Sequence, residues 1–288
     1  MASTTSFLQK NDFLIRRLHS LSGVIPIGAY MVVHLLTNST ILNSAGIFQA
    51  NVITIHQLGP VLPLVEWLFI FGPIIFHAVV GIYIARTGKN NAGSYQLASN
   101  RRYVWQRWTG MLAAVFIFSH VFHLHGWFHN DWWMANIAEP LGMAQFAPYS
   151  AASSLAAAMT WSWLVFYVVG VVACSFHLAN GIWTSGITWG IWLTPKAQSR
   201  ATVACGVFGV LIGVVGLSAL AGVKTTNIAE ARETETEMYE TKVRTGELKA
   251  DPHKRWEDES DAAGNKAIQP LREVDYVKPT NESSGNTL

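Results

Sequence analysis

Carboxylates are almost missing from the first three quarters of this 288-residue chain: only Asp12, Glu66, Asp131 and Glu139 precede Val223, and the other 14 of 18 acidic residues follow it. A zinc or di-iron centre with carboxylate ligands is therefore excluded from the apolar part, where Glu66 alone approaches a helix end. Charge of either sign is scarce, at 13% of residues, against about 25% in an average soluble domain. Half the residues are hydrophobic, which points to a membrane protein. There are two cysteines, Cys174 and Cys205; both lie in apolar runs and read as buried free thiols, with no disulfide. No C-x-x-C-H sequence occurs, so covalent haem attachment is excluded. Lys and Arg are absent from 38–63 and from 125–160.

What the chain does have is long apolar runs. Five windows, roughly 18–37, 64–85, 103–124, 161–186 and 201–223, each reach the roughly 20 helical residues that cross a hydrocarbon core about 30 Å thick. The expected fold is an all-α bundle of five transmembrane helices followed by a polar tail. The runs are continuous, without the alternation of a membrane barrel. Pro26 and Pro73 interrupt them and read as tolerated kinks. All ten basic residues before Val223, among them Arg16, Arg17, Arg86, Arg107 and Lys196, fall on one side of such a bundle. The positive-inside rule makes that side cytoplasmic, with the N-terminus inside and the tail outside. "RRLHS" near the start is not an export signal, because the run behind it is of full transmembrane length and lacks a cleavage site.

Four apolar runs each carry one histidine of matched depth. At a rise of about 1.5 Å per residue from the basic boundary, His34 and His120 lie roughly 26–27 Å up, and His77 and His177 roughly 14–17 Å up. Ionisable groups inside a membrane mark function. Paired imidazoles on facing helices are what a six-coordinate haem requires, one nitrogen on each side of the iron. Each histidine could instead hydrogen-bond a neighbouring helix, but two matched pairs are poorly explained that way. Gly72 and Gly81 flank His77, Asn180 and Gly181 follow His177, and Gly23 and Gly28 share the helix of His34, small residues that suit either a flat macrocycle or close helix packing. His123, His125 and His129 follow His120 and read as solvated or quinone-facing; His123 is the one rival to His120 as a ligand. His56 and His253 lie outside the apolar runs.

The stretches "FLIRRLHSLSGVIPIGAYMVVHLLTN", "PIIFHAVVGIYIARTGKNNAGSYQ", "QRWTG" with "FSHV", and "GVVACSFHLANGIWTSGITWGIWLTPKAQ" resemble the two-haem cytochrome b membrane anchor of succinate:quinone oxidoreductase, the succinate dehydrogenase and fumarate reductase class, over about residues 12–223. The resemblance implies two non-covalent b haems, the outer one on His34 and His120 and the inner one on His77 and His177. It implies a cytoplasmic iron–sulfur subunit and a flavoprotein subunit that carries the succinate chemistry, in a bacterial cytoplasmic membrane. It also implies a quinone, menaquinone in many such anchors. A higher oligomer of the complex is compatible with it, and no nucleic acid is expected. Arg16, Arg17, His19, Ser20 and Arg107 are candidates to meet haem propionates, which seek arginine or hydroxyl donors at the polar edge. Glu66 and His123 are quinone candidates by depth. One departure stands out: some fumarate reductases carry a glutamate two residues before the inner ligand of the fourth helix, and here that residue is Ser175, which puts a proton path of that type in doubt.

Two other readings fit the same histidines: a di-haem anchor of another respiratory oxidoreductase, of formate dehydrogenase or hydrogenase type, and a haem-free transporter with histidine proton relays. The tail, 224–288, is charged and poor in apolar residues, so flexibility or partner-dependent folding is expected of it.

Overall fold

A computed structural model of the chain describes residues 10–88, 93, 98–128, 130–251 and 254–256. Among them there is no strand. Five helices have the length and apolar composition to cross a membrane: α1 (Asp12–Leu42), α3 (Gly59–Thr87), α4 (Asn100–His125), α6 (Trp161–Thr188) and α7 (Pro195–Thr225). They contain the five expected windows and overrun them at both ends, except that α6 begins at 161 as its window does. Three shorter helices, α2 (Ala45–His56), α5 (Ala151–Ala158) and α8 (Ile228–Arg244), complete the fold.

Helix starts follow from side-chain caps. Thr194 accepts from the Ala197 amide with Pro195 at the first helical position, Ser44 accepts from Ile47, and Asn227 accepts from Ala229 and Glu230. Proline has no N–H for the usual four-residue bond, and both intramembrane prolines coincide with a wider turn. Pro26 lies inside the π-helical segment Gly23–Gly28, and Pro73 lies two residues past the end of the π-helical segment Trp67–Phe71. A third π segment, Val121–His125, begins immediately after His120.

Helix α1 packs on α3 and α6, and α4 packs on the same two, so four spans form a square with α1 opposite α4 and α3 opposite α6. Helix α7 lies outside the square against α6 and α1. Large apolar side chains such as Val33, Phe118, Val165 and Val210 are exposed along the spans, a surface that acyl chains cover.

The three short helices all join span ends on the side away from the basic loops, and they pack on one another. Their core is continuous with the bundle: Phe48, Ala151, Leu155 and Ala231 share one apolar cluster with Phe116, Tyr167 and Val171. The first part of the tail forms helix α8, and residues 248–251 and 254–256 lie over the start of α5. There the Lys254 carbonyl accepts from the Tyr149 amide at 2.8 Å and Ser150 Oγ accepts from the Trp256 amide at 3.2 Å. The residues that α8 buries are Ala231, Glu235 and Tyr239, one helix face with a carboxylate at its centre. That carboxylate hides the face from an apolar count.

Glu235 is 1% exposed and accepts from the Ala152 amide, the Ser153 amide and Ser153 Oγ, so it caps α5 from another helix. Burial raises its pKa above the ordinary 4.5, against the opposing pull of those hydrogen bonds and of Arg232. A folded-state pKa above the unfolded one means that the folded form binds the proton more tightly. Its stabilising contribution is complete below the ordinary value and declines as pH rises through the folded one. Hydrogen exchange of the α8 amides, corrected for intrinsic rate, should therefore show stronger protection at acidic than at alkaline pH. Glu235→Gln should remove that dependence, and an unchanged profile in this variant would place the titrating group elsewhere.

Candidate functional site

The square brings the four histidines together across its diagonals. His34 of α1 meets His120 of α4, with ring centroids 5.8 Å apart and planes at 78°. His77 of α3 meets His177 of α6 at 6.1 Å and 86°. Two imidazoles bonded through nitrogen to one metal atom, each at roughly 2 Å, need about this separation. The depth pairing read from the sequence is the pairing these distances show.

In three rings it is Nδ1 that has a close polar partner, the arrangement that suits Nε2 as a metal ligand. His77 Nδ1 donates to the His19 carbonyl at 2.9 Å and His177 Nδ1 donates to the Gln106 carbonyl at 3.1 Å. His120 Nδ1 lies 3.1 Å from Tyr167 Oη. Such outer bonds orient a ligating imidazole and set its tautomer. His34 and His177 each have Nε2 3.4 Å from a side-chain amide nitrogen, Asn38 Nδ2 and Gln106 Nε2 respectively. Gln106 is itself held by Asn180, whose Nδ2 donates to Gln106 Oε1 at 2.7 Å.

Glycine makes room for the inner pair at Gly23, one of the small residues named from the sequence, and at Gly110. A Cβ on Gly23 would lie 2.4 Å from His77 Cε1, and one on Gly110 would lie 2.7 Å from His177 Cε1. Gly81 faces His19, and Gly72 faces the Trp67 carbonyl, so neither touches His77. Gly110 closes the "QRWTG" stretch of the resemblance, which gives it no role beside His177.

The basic-end candidates separate into different roles. Arg16 pairs with Asp12 at 2.7 Å on the surface. Arg17 lies over the rings of Phe13 and Trp189, and its buried Nε has no hydrogen-bond partner. Ser20 Oγ donates to Ser185 Oγ at 2.8 Å. His19 stacks on His77 with centroids 3.9 Å apart, its Nδ1 also unpartnered. Arg107 donates to the Ile84 and Gly88 carbonyls and to Tyr103, leaving a buried Nε without a partner. Three unmet donors, on Arg17, His19 and Arg107, are what an anionic edge at this end would satisfy.

At the other end His123 is 1% exposed, stacked on Trp163 at 3.7 Å and 3.1 Å from Tyr167 Oη. It is a core residue rather than a solvated one. The histidine beside Glu66 is His125, with Nε2 3.8 Å from Oε2 and both side chains about a quarter to a third exposed. Ser175 is buried, its Oγ without a hydrogen-bond partner, and it packs against Gly213 of α7, away from the bundle axis. Cys174 and Cys205 are free thiols, as expected. His129 and His253 lie outside the described residues. No group of three or more His, Cys, Asp or Glu side chains with metal-ligand spacing occurs among the described residues.

Five membrane-length helices, four of which contribute the two facing histidine pairs, define a multi-pass helical membrane protein with a paired-histidine core. No protein-family model matches the chain. The chain is 37% identical over 209 residues, 73% of its own length and 96% of the relative's, to the succinate dehydrogenase cytochrome b558 subunit of Bacillus subtilis (strain 168). It belongs to the family of succinate dehydrogenase cytochrome b subunits.

Proposed function

We propose that region 1–223 anchors a succinate:quinone oxidoreductase in the bacterial cytoplasmic membrane and conducts electrons between a cytoplasmic iron–sulfur subunit and a membrane quinone, with succinate oxidation or fumarate reduction on a partner flavoprotein. The observation that carries this reading is the pair of diagonal histidine contacts, at 5.8 and 6.1 Å. Two b haems, when bound, supply one-electron carriers at two depths. The chain's own residues fit them: His34 and His120 would hold the outer one, and His77 and His177 the inner one. The His19 and Gln106 carbonyls fix the inner imidazoles, while Gly23 and Gly110 leave space beside them. Arg17, His19 and Arg107 present the unmet donors that propionates would meet, with Arg16 and Ser20 at the same edge. Basic loops on one face place the N-terminus in the cytoplasm, and the tail helix α8 then caps the outer face. Menaquinone is the quinone proposed. Glu66 with His125 is the accessible polar pair near its outer site, and His123 supports that site from within.

A dithionite-reduced-minus-oxidised spectrum of the purified complex should show b-type bands that titrate in two steps, with a flavoprotein co-purifying. A colourless protein would favour the proton-relay transporter. Two haems with another dehydrogenase in place of the flavoprotein would favour the formate dehydrogenase or hydrogenase class. Gly110→Val should displace the His177 ring and abolish the inner haem's step while the outer one remains. A two-step titration in that variant would show that His177 does not need the space.

A further inference from the structure

We infer that Tyr167 is a positioning residue for the outer histidine pair: its hydroxyl accepts from His120 Nδ1 and donates to His123 Nδ1, so that one side chain sets the orientation and tautomer of both rings. The inference rests on the reading of His34 and His120 as ligands of the outer haem.

Tyr167 Oη lies 3.1 Å from His120 Nδ1 and 3.1 Å from His123 Nδ1. A phenol has a single proton to donate and two lone pairs, so between two ring nitrogens it can donate to one and must accept from the other. The direction follows from the ligand role. If His120 offers Nε2 to iron, its own proton is on Nδ1, and that bond must run from His120 to Tyr167. The phenol proton is then committed to His123, whose ring carries its proton on Nε2. The result is a one-way chain from His120 through Tyr167 to His123.

Packing keeps water out of this chain. Tyr167 is 4% exposed and His123 1%. The His123 ring is clamped parallel to Trp163 at 10°, and Phe116 sets its edge against the Tyr167 ring at 5.3 Å. The Nδ1 atoms of His77 and His177 each have a backbone carbonyl as the shorter partner, with the Ser22 and Thr109 hydroxyls further off at 3.4 and 3.5 Å, whereas the partner of His120 Nδ1 is the Tyr167 side chain. The outer pair therefore has an outer bond that a single substitution can remove.

An acceptor on Nδ1–H makes the imidazole more electron-rich and favours the oxidised, more positive iron. Because the phenol itself donates onward, its acceptor strength is reinforced by His123. Removing the hydroxyl should raise the midpoint potential of the outer haem. Removing His123 should raise it less, because the first bond survives.

The test is redox titration of the intact complex, with electron paramagnetic resonance of the oxidised low-spin haems, for wild type, Tyr167→Phe and His123→Leu. Phenylalanine retains the ring that packs on Phe116. In Tyr167→Phe the reduced-to-oxidised ratio of the outer haem, at a fixed applied potential, should rise about fivefold, the scale of one neutral hydrogen bond. Its g-values should shift as the His120 ring reorients, and the inner haem should be unchanged in both respects. His123→Leu should move the outer haem in the same direction by less. If Tyr167→Phe does not assemble, His123→Leu decides: a shift confined to the outer haem supports the chain, and none overturns it. Two titrating haems with neither moved by Tyr167→Phe would refute the positioning role while leaving the haem assignment intact. A wild-type protein that titrates as a single component would refute the assignment and the inference with it.

Discussion

His120→Ala should remove one of two b-type haems and leave the other, lowering the dithionite difference signal by about half. His34→Ala should do the same, because the two rings face each other at 5.8 Å across the α1/α4 diagonal and a six-coordinate haem needs both. His77→Ala and His177→Ala should remove the other component, since that pair meets at 6.1 Å across the α3/α6 diagonal. His123→Ala is the control. Its ring is stacked on Trp163 and engaged by Tyr167, so both haems should remain. Difference spectra resolved by potentiometric titration make the measurement. Retention of both haems in His120→Ala, with loss of one in His123→Ala, would reassign the outer ligand.

These pairs were legible because two independent rulers run along the chain. Hydropathy marks the spans, and the basic boundary sets a zero from which each histidine's depth is counted. Depth says nothing about which helices stand diagonally opposite, which depends on packing. Gly110 lies in "QRWTG", but its place beside His177 was not legible, because one span glycine resembles another until a ring is found against it. Gln106 sits between arginine and tryptophan in "WQRW", where a boundary polar residue needs no special reason. Tyr167 read as one more aromatic in an apolar run, and only the positions of His120 and His123 give its hydroxyl a purpose. In the tail, helix α8 buries Glu235 at the centre of its inward face, so the residue that anchors it lowers the apolar count of that face.

Collapsing the membrane potential should slow succinate-dependent reduction of the native quinone pool in sealed inside-out vesicles. In the proposed orientation an electron leaves the cytoplasmic face and reaches a quinone near the His34–His120 end, moving toward the positive side. That movement gains up to about 2.3 kcal/mol per charge per 100 mV if the whole dielectric is crossed. With a low-potential acceptor such as menaquinone, succinate oxidation is uphill in chemistry alone, and the potential supplies the deficit. Asp12, at the inner start of α1, is paired with Arg16 on the surface, and Ser175 faces α7 rather than the axis, so in the proposed orientation a quinone at the outer pair would draw its protons from the outer side. Reduction of a soluble dye at the cytoplasmic subunits should be unaffected. Equal quinone reduction before and after uncoupling would place the acceptor at the inner pair or require a high-potential quinone.

The diagonal arrangement also dictates an order of events during synthesis. A hairpin of neighbouring helices presents one imidazole of each pair and completes neither. The third span, α4, supplies His120 and so completes the outer couple in composition, but not its surroundings. The fourth, α6, brings His177 together with Tyr167, and without it neither pair has both its partner ring and the neighbours that orient it. Nascent chains stalled before α6 has entered the bilayer would thus hold histidines without a finished cage, and capture of the cofactors becomes a report that the square has closed.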